Sequence, residues 1–221
     1  MIEKTHRVCL INGSLRGRKA SSLRFLLDVS RRLPDKRYRK TVLTVRCGVN
    51  AGFQSETLAC MAEADALIFV FPLYGYGLPG ALMRLLEEFH AYVQAGHGRN
   101  PSAKVYVVVN CAYPRPELTT GEAVRVMRNF CRRFSLPWRF AVCIGTGPVV
   151  AMTKRVPLLD RKLKQAFAAI AADISADDVG PRSDVFVYPV IPEPIIRRIR
   201  EHYEKRGEMI RARQQLSRSD A

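Results

Sequence analysis

The sequence predicts an α/β protein built on a doubly wound parallel sheet, and three observations predict it. Strand-like and helix-like segments alternate five times between residues 6 and 144. Residues 66–71 (ALIFVF) are apolar throughout rather than alternating, as a strand buried on both faces must be. The chain has 221 residues, 48% hydrophobic and 25% charged, which suits one large domain with a short appendage and excludes disordered, collagenous and coiled-coil proteins.

Residues 6–11 (HRVCLI) form a short aliphatic run that ends in the turn signal Asn12-Gly13-Ser14, giving the first strand. Leu23, Leu26, Leu27 and Leu33 then recur at helical spacing, with Ser21 or Ser22 placed as N-cap and Pro34 beyond the end. Residues 38–45 (YRKTVLTV) have strand character but carry Arg39 and Lys40, charges that discourage an edge strand from pairing with another sheet. The run 66–71 is placed at the centre. From Pro79, set at a first helical position, Leu82, Leu85, Leu86, Phe89, Tyr92 and Val93 make an apolar stripe. Residues 104–110 (KVYVVVN) and 139–144 (RFAVCI) are the next strands, with a helix over about 120–134 between them. Residues 162–174 read as a further helix, 185–190 as a short strand, and Pro192-Glu193-Pro194 as the hinge into a basic amphipathic helix over 194–215. The domain boundary falls at 180, with 181–221 as an extension that packs on the domain or on a partner subunit rather than on a membrane.

No stretch reaches the roughly 18 apolar residues that cross a bilayer, and residues 1–4 lead into the first strand without an apolar leader. The expectation is a cytoplasmic protein. Cys9, Cys47, Cys60, Cys111, Cys131 and Cys143 are scattered without a C-x-x-C pair, which points to reduced thiols rather than zinc, iron–sulfur or disulfide chemistry. His6, His90, His97 and His202 lack spaced acidic or cysteine companions and take no metal or acid–base role. Charge is the unusual feature. The net value is +16, and residues 1–46 hold thirteen Lys and Arg against three Asp and Glu. Such a field attracts phosphates, nucleic acid or anionic lipid.

Alternating strands and helices imply right-handed crossovers, and ligands in such sheets sit beyond the carboxyl ends of the strands. The loops to inspect are therefore 12–22, 72–79, 110–118 and 145–153. The first carries three hydroxyls, three cations and two glycines to the start of a helix, where unpaired N–H groups favour an anion; a solvated, well-capped turn is the equal alternative. It is not a Walker A loop, because the fifth residue after Gly13 is Arg18. Residues 75–80 spell G-x-G-x-x-G, but no acidic residue lies between Glu88 and Glu117 to hold a ribose, so the dinucleotide reading is rejected. Tyr74 and Tyr76 at the mouth of a central strand suit a flat heteroaromatic ring, with Gly75 and Gly77 letting the backbone approach.

Four motifs in register resemble the flavodoxin-like NAD(P)H-dependent FMN reductases: Asn12-Gly-Ser14-Leu-Arg16 with Ser21-Ser22; Ala64-Asp65 before ALIFVF, with Pro72-Leu-Tyr74 and Leu78-Pro79 after it; Asn110-Cys-Ala-Tyr-Pro114; and Ile144-Gly-Thr-Gly147. The resemblance implies a five-stranded sheet in the order 2-1-3-4-5 with a basic helical extension. It implies that Ser14, Arg16, Ser21 and Ser22 hold the FMN phosphate. Pro72, Leu73, Tyr74, Gly75 and Tyr76 would line the isoalloxazine ring, and Asn110, Cys111, Ala112 and Tyr113 would bound its other side. Hydride would pass from NAD(P)H to the flavin and electrons onward to a small-molecule acceptor, with no obligatory side-chain acid or base. The resemblance also implies a homodimer that completes the pocket. Where related chains often carry Gly-Phe-Pro-Glu, this one has Ala112-Tyr-Pro-Arg115.

Two rival readings use other features. An electron-carrier flavodoxin would have a Thr-rich phosphate loop and an acidic surface, against +16 here. A non-catalytic module could use Arg31, Arg32, Lys36, Arg37, Arg39 and Lys40 for salt-dependent phosphate contacts, although no specific nucleic-acid motif is present. Cys111 beside the flavin loops invites a redox role, but a free cysteine is more often a small buried hydrophobe.

Overall fold

A computed structural model of the chain describes residues 5–152 and 157–188, together with Arg197 and Glu201. Its strands are β1 (His6–Asn12), β2 (Tyr38–Thr44), β3 (Ala66–Pro72), β4 (Lys104–Asn110), β5 (Trp138–Ile144) and β6 (Val185–Val187). All pair in parallel, in the order β2-β1-β3-β4-β5-β6. The sheet thus has six strands rather than five. Val185–Val187 is too short to assign a partner from pattern alone; it joins because its residues register against Val142, Cys143 and Ile144. The helices are α1 (Ser21–Ser30), α2 (Ser55–Glu63), α3 (Gly80–Gln94), α4 (Gly121–Arg133), α5 (Gly147–Met152) and α6 (Pro157–Ile174).

The strict alternation of side chains along each strand separates two cores. Leu67, Phe69 and Phe71 of β3 pack with Met61, Leu85, Phe89, Met127 and Phe130 of α2, α3 and α4. Ile68 and Val70 pack with Phe25, Leu26, Phe167 and Ile170 of α1 and α6. Both faces are covered, so every side chain from Ala66 to Phe71 is buried, and the uniformly apolar run follows. β2 lies at the edge, as its charges indicate, and Lys40 is held there by Asp35 at 2.7 Å and by the Leu33 carbonyl at 2.8 Å.

Some local assignments differ. Ser21 is the first helical residue of α1, and Ala20 rather than a serine precedes it, with no side-chain capping bond. Pro79 stands just before α3 instead of inside it. α2, only nine residues long, and α5, within the segment expected as loop, have too few turns to announce themselves. The compact unit closes at Tyr188. The basic helix expected over 194–215 lies outside the described residues apart from Arg197 and Glu201, which approach to 4.0 Å.

At the amino edge of the sheet sits a buried ion network. Arg139 of β5 is fully buried, with its Nε and Nη2 at 2.6 and 2.8 Å from the two oxygens of Asp173 in α6. Tyr106 donates to the same carboxylate at 2.8 Å, and Arg182, just before β6, pairs with it at 2.8 Å. Burial by itself pushes the Asp173 carboxyl up, but hydrogen bonds from Arg139 and Tyr106 outweigh it and hold it below the ordinary range. A depressed carboxyl stabilises the fold above the unfolded-state value of about 3.9, and that contribution fades as pH falls through the folded value. Asp173→Asn should therefore lower unfolding stability at pH 7 by about 3 kcal/mol, the lower end for a broken buried ion pair, because Arg139 then keeps only Asp178, at 3.0 Å, and the Gly180 carbonyl as partners for its charge. Urea unfolding checks this, and an unchanged midpoint would rule the network out as a structural anchor.

Candidate functional site

The carboxyl edge is where the predicted loops converge, and two buried asparagines organise it. Asn12 ends β1 and Asn110 ends β4, each nearly inaccessible. Asn12 Oδ1 accepts from the Ser14 N–H at 3.2 Å, and Gly13 N–H donates to the Val70 carbonyl at 2.8 Å, so the first loop leaves the sheet pinned to β3. Asn110 Nδ2 donates to Ser22 Oγ at 2.8 Å and to the Phe71 carbonyl at 3.0 Å, while its own carbonyl accepts from Leu73 N–H at 2.8 Å. One side chain thus ties α1, the β3 loop and the β4 loop together. Gly147 is required beside it, since a Cβ there would fall 2.9 Å from Asn110 Cβ.

The first loop makes a one-turn 3-10 helix over Gly17–Lys19 before α1. Ser14 is buried and its Oγ accepts from the Arg16 N–H at 3.3 Å. Ser21 is partly exposed in the first turn of α1; Ser22 is buried with its oxygen committed to Asn110. Because Ala20 caps nothing, the first N–H groups of α1 have no side-chain partner and face a loop bearing Arg16, Arg18 and Lys19. Among the described residues these three cations form no ion pair. A fourth, Arg46, follows β2 and packs over Gly17, with Nη1 3.0 Å from where a Cβ would lie. Sequence reasoning missed Arg46, since only β1–β2 pairing brings it beside the loop.

Pro72 and Leu73, partly exposed, lead into a tight turn in which Tyr74 and Gly77 exchange N–H···O bonds of 3.0 and 2.9 Å. Its central residues are left-handed, Gly75 at φ 52° and Tyr76 at φ 67°. Glycine adopts this freely; a tyrosine does so at a cost of about 1–2 kcal/mol. Tyr76 gains no burial in return and instead stacks on Tyr113, ring centroids 5.8 Å apart. Tyr74, Tyr76 and Tyr113 are each 44–51% exposed. Hydrogen bonding with the Tyr76 hydroxyl raises the Tyr113 pKa above its usual value. Ala112 is exposed beside them. Thr146 is a second left-handed residue at this edge, φ 48°, and its buried Oγ1 has no partner among the described residues. Backbone strain of this kind concentrates at site mouths; the sequence singles out Tyr76 for its aromatic face though not for its strain, and does not single out Thr146 at all.

Cys111 is buried, bridging Thr119 Oγ1 at 3.6 Å and the Tyr113 carbonyl at 3.5 Å, and burial pushes its thiol up, so it is protonated at neutral pH. Its role is to shape the loop. The edge therefore fits a phosphorylated, planar ligand: open N–H groups and unpaired cations at one end, exposed aromatic faces at the other.

No protein-family model and no curated protein sequence matches the chain. Solved structures do. It is similar to the NAD(P)H:quinone oxidoreductase from Methanothermobacter marburgensis, with 13% identity, 79% of this chain and 98% of that one covered, and TM-score 0.57. An NADH:FMN oxidoreductase in its apo form is similar at 13% identity, 87% and 99% coverage and TM-score 0.57. So is a flavodoxin, WrbA-like protein from Agrobacterium tumefaciens, at 12% identity, 77% and 98% coverage and TM-score 0.51. The chain has the flavodoxin-like fold.

Removing the hub of this edge has a defined cost. Asn110→Ala leaves the Ser22 hydroxyl and the Phe71 carbonyl without their shared donor and should lower stability by about 2–3 kcal/mol. Urea unfolding at unchanged m-value would show it, and a loss below about 0.5 kcal/mol, the smallest typical net hydrogen-bond contribution, would contradict the hub.

Proposed function

We propose that the chain is an FMN-dependent oxidoreductase that takes electrons from NAD(P)H and passes them to a small-molecule acceptor such as a flavin, a quinone or an azo compound. The observation that carries the reading is the pairing of an uncapped α1 amino terminus with the unpaired cations Arg16, Arg18 and Lys19 on a flavodoxin-like carboxyl edge. The similar solved structures, an NAD(P)H:quinone oxidoreductase, an NADH:FMN oxidoreductase and a flavodoxin, WrbA-like protein, support the same class.

In this reading the first-turn N–H groups of α1, Ser14, Ser21 and Ser22 and the guanidinium of Arg16 hold the phosphate of FMN. Arg46 adds a charge from the neighbouring strand. Tyr74, Gly75 and Tyr76, with Pro72 and Leu73 behind them, and Asn110, Cys111, Ala112 and Tyr113 across from them, frame the ring. FMN, when bound, supplies hydride acceptance from the nicotinamide and electron transfer onward. The chain supplies position and polarity: Asn110 fixes the loops relative to one another, and Thr146 offers a buried hydroxyl oxygen with no other partner. A homodimer that completes the ring pocket belongs to the same proposal.

The alternative module for nucleic acid is disfavoured by the state of its cations. Arg31 pairs with Asp28 at 2.6 Å, Arg32 donates to the Asp28 carbonyl at 2.6 Å and sits over the Phe167 ring, and Lys40 is paired with Asp35. Cations engaged within the fold have less to offer a phosphate chain.

Titration of the purified protein with FMN, followed by quenching of flavin fluorescence, should reach saturation. Arg16→Ala should weaken Kd about tenfold or more, the loss of one charge-assisted phosphate contact, and riboflavin, lacking the phosphate, should bind weakly to either protein. The FMN-loaded protein should oxidise NADH or NADPH in the presence of a quinone. A protein that ignores FMN yet binds single-stranded DNA with steep salt dependence would replace this reading with the module.

A further inference from the structure

Apart from the carboxyl edge, and independent of the flavin reading, the amino half of the sheet carries a cleft of about 370 Å³ between β1, β2 and α2. Cys9 and Thr41 are register partners on β1 and β2, as are Arg7 and Arg39 two residues earlier, so all four side chains lie on one face. Cys60 of α2 covers them from above and lines the same cleft. Cys9, 1% exposed, and Cys60 thus line one cleft together, with Thr41 and Arg39 in the same lining. Cys60 itself is partly exposed.

The surrounding charges divide unequally. Arg7 is paired with Glu63 at 3.0 Å, which leaves Arg39 as the cation without an ion-pair partner among the described residues. Glu56 and Glu63 on α2 are the acidic groups in the lining. The hydrogen bond from Cys9 lowers the Cys60 thiol to about 6, aided by Thr41 and Arg39 and opposed by burial and Glu63; burial, first, and its bond to Cys60 raise Cys9. At neutral pH one sulfur carries the charge and the other keeps the proton. A thiolate in an open cleft, with a hydroxyl, a guanidinium and a protonated thiol in the same lining, is an arrangement for two-step oxidation.

We propose that this cleft is a hydroperoxide-reactive dithiol site, with Cys60 the attacking thiolate and Cys9 the thiol that resolves the oxidised sulfur. In the first step the Cys60 sulfur attacks the terminal oxygen of a hydroperoxide. An S–O bond forms, the O–O bond breaks, and the departing alkoxide or hydroxide takes a proton from water, with Thr41 and Arg39 beside it to stabilise the charge. Sulfur is oxidised by two electrons and the peroxide reduced by two. In the second step Cys9 attacks the Cys60 sulfenic acid; the S–S bond forms, the S–O bond breaks, and hydroxide leaves with the Cys9 proton as water. The sum is two thiols and one hydroperoxide giving a disulfide, an alcohol or water, and water. A small reducing thiol restores the pair by exchange.

The exposed Cys47 is an internal control in the same chain. With limiting hydrogen peroxide, peptide mapping of the unmodified protein should show a Cys9–Cys60 crosslink, 2 mass units lighter than the two free thiols, before Cys47 changes. Cys9→Ala should instead accumulate a Cys60 sulfenic acid that dimedone captures. The rate of Cys60 alkylation by iodoacetamide should rise with pH to a plateau reached by about pH 7, one unit above its lowered value. Thr41→Val should slow the peroxide reaction severalfold, and Thr41→Ser should restore it. Oxidation of Cys47 ahead of Cys60 overturns the proposal, as does a native chain whose Cys60 takes dimedone and never crosslinks to Cys9.

Discussion

The structure depends on how a parallel sheet covered on both faces ends. Helices bury the strands laterally, but the carboxyl edge, where chain after chain leaves the ladder, exposes peptide groups that must find partners. Asn12 and Asn110 meet that requirement from within the strands themselves. The amide nitrogen of asparagine carries two N–H donors on one short, planar group, so a single buried residue can satisfy a carbonyl on β3 and a hydroxyl on α1 together. Once those bonds are made the loops have little freedom left, and the residues between them are presented outward.

The two edges of the sheet are built on opposite electrostatic terms. At the amino edge Arg139, Asp173, Tyr106, Lys104 and Arg182 form a network whose charges are paired or hydrogen-bonded inside the protein. At the carboxyl edge Arg16, Arg18 and Lys19 are exposed and, among the described residues, form no ion pair, and the strained residues Tyr76 and Thr146 lie at the same edge. Compensated charge holds α6 and β6 against the strands, whereas uncompensated charge and stored strain distinguish the edge proposed to bind a ligand. The net +16 is therefore not a uniform property of the surface.

The dithiol cleft uses a third device, the edge strand. β2 has a neighbour on one side only, so the pocket between it and α2 stays open while β1 remains buried. Cys9 is then shielded and Cys60 accessible, though both line the same cleft. About 10 Å of strand, three residues at ~3.3 Å each, separates Cys9 from Asn12, so the two sites share β1 without sharing residues.

By itself the amino-acid sequence determined the strands with enough apolar residues to show period or burial, the edge position of β2, the doubly wound parallel architecture and the loops that converge, because these follow from patterning along one dimension. Tertiary structure alone decided the rest. The pattern marks 185–190 as strand-like, but that Val185–Val187 joins the sheet as a sixth strand depends on the free edge of β5. α2 and α5 are too short for periodicity to speak. Ser22 and Ser21 look alike in sequence, yet one turns inward to Asn110 and the other lies at the helix start, a difference set by an interaction 88 residues away. Arg46 reaches the first loop, and Cys60 reaches Cys9, only through strand pairing and helix packing. Contacts between distant parts of the chain carry no local signature, and in this protein they fix which of many similar side chains do chemistry.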